Sequence, residues 1–392
     1  MPSTVQVIDV LQNTHRSAPK PDLEPSKLFQ DVAREIPEVE EFCVPPMKAR
    51  TVTTDDGQQV WISPMLVGLS KYAALPQKGL SEKLMNEVLE GMISRFDSVI
   101  PYAETGPLTL EQAIHRTPPF APLNMNSSCG PNLPGKKKLY FTQNEEGQWN
   151  PKVEFSAQLL KRWAEYDNGE KPRFTTSVKS EARKISKVAV GGERIFFASE
   201  VEYVLYMRRY LLPVLQAIVD EWKTTGVMIG VNCASTDWAE AKAHLNAFPF
   251  KFTLDVQSMD STIDTFVLEA IRDFLTFIAR RKTAYTLREC EEFFKALDLG
   301  ICFVAIVDGV VVLLPRGNSS GSPSTTLVNS IALLMYLYIA WILLGKPKDD
   351  FWKFVRFLLY GDDAVVSTTD ATFNFRTVRA ALAPYGITIT PA

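Results

Sequence analysis

Val355-Arg-Phe-Leu-Leu-Tyr-Gly-Asp-Asp-Ala-Val-Val366 sets two adjacent carboxylates, Asp362 and Asp363, between two apolar flanks. Phe357 to Tyr360 and Ala364 to Val366 read as strands, and Gly361 beside Asp362 is a hairpin-turn signal. Glycine there takes φ > 0 without strain. Two neighbouring anions at a strand tip repel each other unless a cation lies between them, and hard oxygen ligands favour Mg²⁺ or Mn²⁺. Gly-Asp-Asp alone is also ordinary turn chemistry, so the rest of the chain has to choose between the two readings.

A second acid pair lies in Lys251-Phe-Thr-Leu-Asp-Val-Gln-Ser-Met-Asp-Ser-Thr-Ile263, where a short apolar strand ends at Asp255 and Asp260 follows five residues on. Ser261 and Thr262 are natural N-caps, and Phe266, Val267, Ala270, Ile271, Phe274, Leu275 and Ile278 repeat with helical spacing, so a helix is expected directly after Asp260. If this strand lies beside the hairpin, Asp255 meets Asp362. Carboxylates from two distant segments clamp a pair of Mg²⁺ ions ~3.5–4 Å apart, the arrangement that serves in-line phosphoryl transfer.

Ser320-Gly-Ser-Pro-Ser-Thr-Thr-Leu-Val-Asn329 is a flexible small-residue loop running into a helix. Thr325 and Asn329, four residues apart, share one helical face. Asn329 is placed to bond a ribose hydroxyl or to orient Asp260; the plainer alternative is a loop that caps a buried helix. Lys179, Arg183, Lys187 and Arg194 are spaced ahead of the apolar run Ile195-Phe-Phe, and such cations suit a triphosphate, although a charge run is commonly a solvated face. Upstream, Asn126-Ser-Ser-Cys-Gly-Pro131 and Lys136 to Lys138 form a basic, glycine-punctuated region suited to template phosphates.

These blocks in this order resemble the motifs of viral RNA-dependent RNA polymerases of the picornavirus-like kind, and the likeness covers most of the chain. It implies a right-hand polymerase. By resemblance, Asp255 and Asp362 are the main ligands of two Mg²⁺ (or Mn²⁺) ions, with Asp363 a weaker or water-mediated one. Asp260 and Asn329 would read the ribose 2′-hydroxyl, and Ser320, with Gly321 and Thr325, would position the nucleotide. Lys179, Arg183, Lys187 and Arg194 would hold the triphosphate, and Asn126, Ser127, Ser128, Gly130 and Pro131 the template. Leu23 to Leu28 and Pro107 to Ala113 resemble the leader segments of the fingers. A reverse transcriptase is the nearest rival, but a carboxylate at Asp260 accepts a hydrogen bond from a 2′-hydroxyl, which is how proteins tell RNA from DNA.

The expected class is α+β: fingers over residues 1–211 with a returning hairpin at 299–317 around Asp308-Gly309, and palm over 212–298 and 318–392, built as an antiparallel sheet backed by helices. Ala383 to Ala392 resembles the start of the next palm motif, yet holds no lysine where the family places one to protonate pyrophosphate. The primer grip and helical thumb are absent as well. The sequence therefore reads as a truncated polymerase or polyprotein fragment, with an RNA- and NTP-binding platform as the alternative function.

The 392 residues, 46% hydrophobic and 22% charged, suffice for two or three cored subdomains. Net charge is −3, which disfavours nucleic-acid binding until its distribution is read. Residues 1–112 carry 16 acids against 10 Lys and Arg, whereas 133–194 carry 13 Lys and Arg against 8 acids, so positive charge gathers where template and nucleotide would pass. Five cysteines, Cys43, Cys129, Cys233, Cys290 and Cys302, have no paired spacing, and with three histidines no zinc site is legible. An odd cysteine count without a signal peptide fits a reducing cytoplasm. Leu327 to Leu344 is long and apolar, but it carries Asn329 and Ser330 and lacks basic flanks, which favours a core helix over a membrane span. Expected partners are RNA template and primer, NTPs, a small protein primer and other viral replication proteins, in the host cytoplasm at membrane-associated replication complexes.

Overall fold

A computed structural model describes residues 5–11, 36, 42–43, 49–53, 56–73, 76, 78–115, 118, 120–232 and 234–391. Leu23 to Leu28, the proline-rich stretch 18–25 and Cys233 lie outside the described residues. Nine strands build two sheets: β1 (Gln6–Val10), β2 (Arg173–Val178), β3 (Ile195–Ser199), β4 (Phe250–Val256), β5 (Val304–Val307), β6 (Val310–Leu313), β7 (Val355–Tyr360), β8 (Asp363–Thr368) and β9 (Ile389–Thr390). Seven helices bear on the site and its support: α1 (Pro64–Ala73), α2 (Glu82–Val99), α3 (Val201–Asp220), α4 (Thr265–Lys282), α5 (Leu287–Asp298), α6 (Thr325–Leu343) and α7 (Phe375–Leu382).

The first sheet runs β1-β6-β5-β2-β3, with β5 parallel to β2 and the other neighbours antiparallel. Asp308 and Gly309 join β5 to β6 with φ of 49° and 89°, both positive, as the tight Asp-Gly hairpin turn requires. The second sheet runs β7-β8-β4-β9 and is antiparallel throughout. Its hairpin closes in two residues, Gly361 and Asp362, with Gly361 at φ 63°, the turn type that places glycine first.

α6 packs against β7, α4 and α7. By length and composition it is apolar enough to cross a membrane, but every residue from Leu327 to Trp341 is buried in the protein core, which accounts for its all-round apolarity. Trp341 stacks edge-on to Phe373 and Phe351, with centroids 5.2 and 5.9 Å apart. Truncating a side chain this size to alanine costs about 3–5 kcal/mol.

The sequence expectation for the segment after Asp260 needs one correction. Asp260 sits inside a single helical turn, Met259–Thr262, and α4 begins only at Thr265. Its cap is Asp264, whose carboxylate accepts the Phe266 N–H at 3.0 Å, while the Ser261 hydroxyl turns back to Ser258 O. Ser258, just ahead of this turn, takes a left-handed conformation, φ 56°.

Candidate active site

Asp255 closes the useful length of β4 directly opposite Asp363, the first residue of β8. Cβ atoms of such cross-strand pairs lie about 4.5–5.5 Å apart. Asp362 occupies the turn, so the in-register partner of Asp255 is Asp363 rather than the expected Asp362: a two-residue turn leaves its second residue at the apex. Main-chain bonds still hold Asp362 close, since Val256 N–H donates to the Asp362 carbonyl at 3.2 Å. Gly361 N–H donates to Ser330 Oγ on α6 at 2.9 Å, and the Ser330 hydroxyl donates to Thr326 O at 2.8 Å. From β9, Thr390 Oγ1 donates to Asp255 Oδ2 at 3.0 Å.

Asp255 and Asp362 are half-buried and Asp363 is exposed. Partial desolvation at the mouth of the turn, then the charges of Asp362 and Asp255, raise the Asp363 carboxyl above its ordinary range. The three acids are hard oxygen donors crowded by like charge, which a divalent cation would relieve. Among the described residues no three His, Cys, Asp or Glu side chains are already gathered into a ligand cluster. An ion here fits the Mg²⁺ habit of one or two carboxylates completed by water and substrate oxygens.

Asp260 forms the second part of the site. Asn329 Nδ2 donates to Asp260 Oδ1 at 2.8 Å, and Asn318 Nδ2 donates to Asn329 Oδ1 at 3.0 Å. Asn318 N–H also reaches the Asp260 carbonyl at 2.7 Å. This chain fixes the Asn329 amide with its nitrogen toward the acid. Burial raises the Asp260 carboxyl; the Asn329 bond opposes this, Asp362 adds to it, and Arg194 and Lys179 oppose it. Those two cations are therefore electrostatic neighbours of Asp260 although 66 or more residues separate them in sequence.

The basic ribbon folds back on itself, with Lys179 N–H donating to Arg194 O at 2.8 Å. Glu181, which the sequence reading passed over, sits among its cations, 3.5 Å from Lys179 Nζ, 3.5 Å from Arg194 and 3.9 Å from Arg183. Lys187 lies on the short helix Ile185–Val188. Lys71 of α1 is a further member that sequence reasoning missed: burial, then Arg183, Arg194 and Lys187, pull its pKa down. No periodicity marks a single lysine more than a hundred residues upstream. Arg50 supports the ribbon from behind, 2.8 Å from the buried Glu193 carboxylate and bonded to Val188 O.

Ser320 and Gly321 dock on β3. The Ser320 hydroxyl accepts the Phe197 N–H at 3.1 Å, and a Cβ on Gly321 would fall 1.8 Å from Phe197 O, so only glycine permits this approach. Thr325 Oγ1 donates to Ser319 O and Ser322 O at 2.6 and 2.8 Å, closing the loop on itself.

Asn126, Ser127, Ser128, Gly130 and Pro131 form a loop joined to the same region, because Val201 N–H, just beyond β3, donates to Cys129 O at 2.8 Å. Asn126 and Ser128 are exposed; Ser127, Gly130 and Pro131 are half-buried. The lysine triplet divides, contrary to its reading as one basic run. Lys137 is buried and donates to Ser127 Oγ at 2.7 Å and to Ser128 O, so it shapes the loop from within, while Lys136 and Lys138 remain exposed. Burial pushes the Cys129 thiol up to about 11, which leaves it unreactive near neutrality.

Comparison with known proteins places this geometry. The family model described as "Viral RNA-dependent RNA polymerase" matches residues 32–392. The genome polyprotein of feline calicivirus is 24% identical over 300 residues, covering 74% of this chain and 16% of the polyprotein. That of bovine enteric calicivirus NB is 23% identical over 344 residues, 85% of this chain and 15% of the polyprotein, and that of soybean mosaic virus (strain G2) is 25% identical over 276 residues, 68% of this chain and 8% of the polyprotein. The chain thus spans about a sixth or less of the length of these relatives. Among solved structures, a sicinivirus 3Dpol RNA-dependent RNA polymerase superposes with a TM-score of 0.71 at 18% identity, covering 98% of this chain and 77% of that one. The likeness shows a right-hand polymerase fold of mixed helices and sheets.

Proposed function

We propose that this chain, which belongs to the viral RNA-dependent RNA polymerase family, extends an RNA 3′-end on an RNA template in the replication of a positive-strand RNA virus. The observation that carries this reading is the convergence of Asp255, Asp362 and Asp363 with the Asp260–Asn329–Asn318 chain and the basic ribbon.

The reaction is attack of the primer 3′-oxygen on the α-phosphorus of an NTP, forming one P–O bond as the bond to pyrophosphate breaks. The cations Lys179, Arg183, Lys187 and Arg194, with Lys71 beside them, neutralise and align the triphosphate, with Glu181 pairing with Lys179, Arg183 and Arg194 and offsetting their mutual repulsion. Asp260, oriented by Asn329, accepts a hydrogen bond from the ribose 2′-hydroxyl and so favours ribonucleotides. Ser320 and Gly321 fix the loop that faces the nucleotide, and Asn126 to Pro131 lie along the template. Asp255 and Asp362, with Asp363 outside them, would hold two Mg²⁺ or Mn²⁺ ions, which when bound supply an activated 3′-oxygen and charge neutralisation of pyrophosphate. Positioning and electrostatics carry most of the rate.

On this reading the first sheet belongs to the fingers, residues 1–211 with 299–317, and the second to the palm, residues 212–298 with 318–392. Insertion of the β5–β6 hairpin into the first sheet supports that division. A small protein primer, other viral replication proteins and a place in host-cytoplasmic, membrane-associated complexes extend the same reading by family likeness.

The test is template dependence: labelled nucleotide incorporation on a primed RNA, in this chain and in any longer polypeptide that carries it. Incorporation should follow the template base and prefer NTP to dNTP. RNA binding without incorporation in both forms would leave a binding platform and overturn the polymerase reading.

A further inference from the structure

A cleft of about 230 Å³ opens at the start of β7, at the opposite end of that strand from Gly361 and Asp362. Five residue steps of ~3.4 Å put it roughly 17 Å from the acid turn. Its volume far exceeds the ~10–15 Å³ a single water needs.

The walls carry four cations, Arg95, Lys223, Lys353 and Arg356, with Trp352 and Phe248, and no carboxylate lines them. Lys223 and Lys353 are each satisfied by an acid outside the cleft, Glu240 at 2.6 Å and Asp350 at 3.1 Å. Arg95 and Arg356 differ: among the described residues neither has a carboxylate partner. Each is held instead against an aromatic face, Arg95 at 5.9 Å from the Trp352 centroid and Arg356 at 4.7 Å from that of Phe248. Arg356 also donates to His244 O at 3.1 Å. The Nε of Arg95 is buried and has no hydrogen-bond partner, and burial pulls the Arg95 pKa down. A buried unpaired donor is costly, more so when charged, so an acceptor-rich anion would complete the cleft.

Each guanidinium lies over an aromatic face, which holds its fork of N–H donors in place. Planar forks match phosphate oxygens in pairs. We propose that this cleft binds a phosphoryl group between Arg95 and Arg356, at a site separate from the nucleotide path.

The test is calorimetric titration of the full 392-residue chain at constant ionic strength, with inorganic phosphate and with glycerol 3-phosphate as probes. The Lys187→Ala/Arg194→Ala variant should retain saturable binding, because the ribbon lies elsewhere. Arg95→Gln/Arg356→Gln should weaken it at least tenfold, with an unchanged near-ultraviolet spectrum reporting intact packing. If that double variant fails to fold, Arg356→Lys, which keeps the charge but loses the fork, should weaken binding threefold or more. Tighter binding of the ester than of free phosphate supports a phosphorylated ligand as the source, and equal binding supports the free ion. Loss of binding in the ribbon variant, or undiminished affinity in the arginine variants, overturns the proposal.

Discussion

Ser330→Ala tests how the acid turn is held. Ser330 is fully buried, accepts the Gly361 N–H at 2.9 Å and donates to Thr326 O. Alanine fits the space, so the loss is chemical rather than steric. It strands the N–H of Gly361, itself buried, and an unsatisfied buried donor costs about 1–3 kcal/mol. The Thr326 carbonyl lies within α6 and loses only a secondary bond. Urea unfolding followed by tryptophan fluorescence should therefore show a loss of about 1–3 kcal/mol. Single-nucleotide incorporation should show a fall in kcat with little change in the KM for NTP, because the turn moves while the basic ribbon does not. A stability loss below about 0.5 kcal/mol with unchanged kcat would refute the claim that this bond positions Asp362.

Three further outcomes follow from the same geometry. Asn329→Ala removes the one side-chain donor to Asp260 among the described residues, a charge-assisted bond of about 1.5–3 kcal/mol, so NTP over dNTP discrimination should fall roughly 10- to 100-fold in steady-state kcat/KM ratios; unaltered discrimination would remove Asp260 from sugar selection. Gly321→Ala drives a Cβ into Phe197 O and should prevent the loop from docking on β3, read as increased protease cleavage between Ser319 and Ser324 and loss of incorporation. Glu202→Gln addresses pH: burial, then Glu200, pushes the Glu202 carboxyl up to about 7. Because its folded pKa is raised, the native state holds the proton more tightly, and stability falls as pH rises from about 4.5 to about 7. The glutamine variant should escape that fall and gain on the order of 1–3 kcal/mol above pH 7, measured by urea unfolding across pH 5–8. A constant difference between the two proteins across that range would contradict it.

What the sequence made legible was local. The Val355–Val366 hairpin, the helical repeat from Phe266 to Ile278 and the Asp308-Gly309 turn rest on alternation, periodicity and turn chemistry, which neighbouring residues specify. Side-chain alliances across the fold were not legible. Asn318 orients Asn329, Ser330 holds Gly361, Thr390 bonds Asp255, and Lys71 joins a ribbon more than a hundred residues away. Each of these pairs depends on which elements become neighbours, which no local pattern encodes. Lys137 shows the converse: three consecutive lysines look alike as charge, and only packing sends the middle one inward. The Asp264 cap was missed because Ser261 and Thr262 are capping residue types as well, and only the main-chain path fixes which of the three precedes the helix.

The most direct test of the central claim, that Asp255, Asp362 and Asp363 form a nucleotidyl-transfer centre, is single-turnover extension of an annealed RNA primer by one complementary nucleotide with Mg²⁺. Wild-type protein is compared with Asp362→Asn, and with Asp349→Asn as a control at a carboxylate outside the site. Wild type and the control should extend the primer, with a rate about 10³-fold lower in Asp362→Asn, equivalent to ~4 kcal/mol of lost transition-state stabilisation. Extension by Asp362→Asn at the wild-type rate would contradict it.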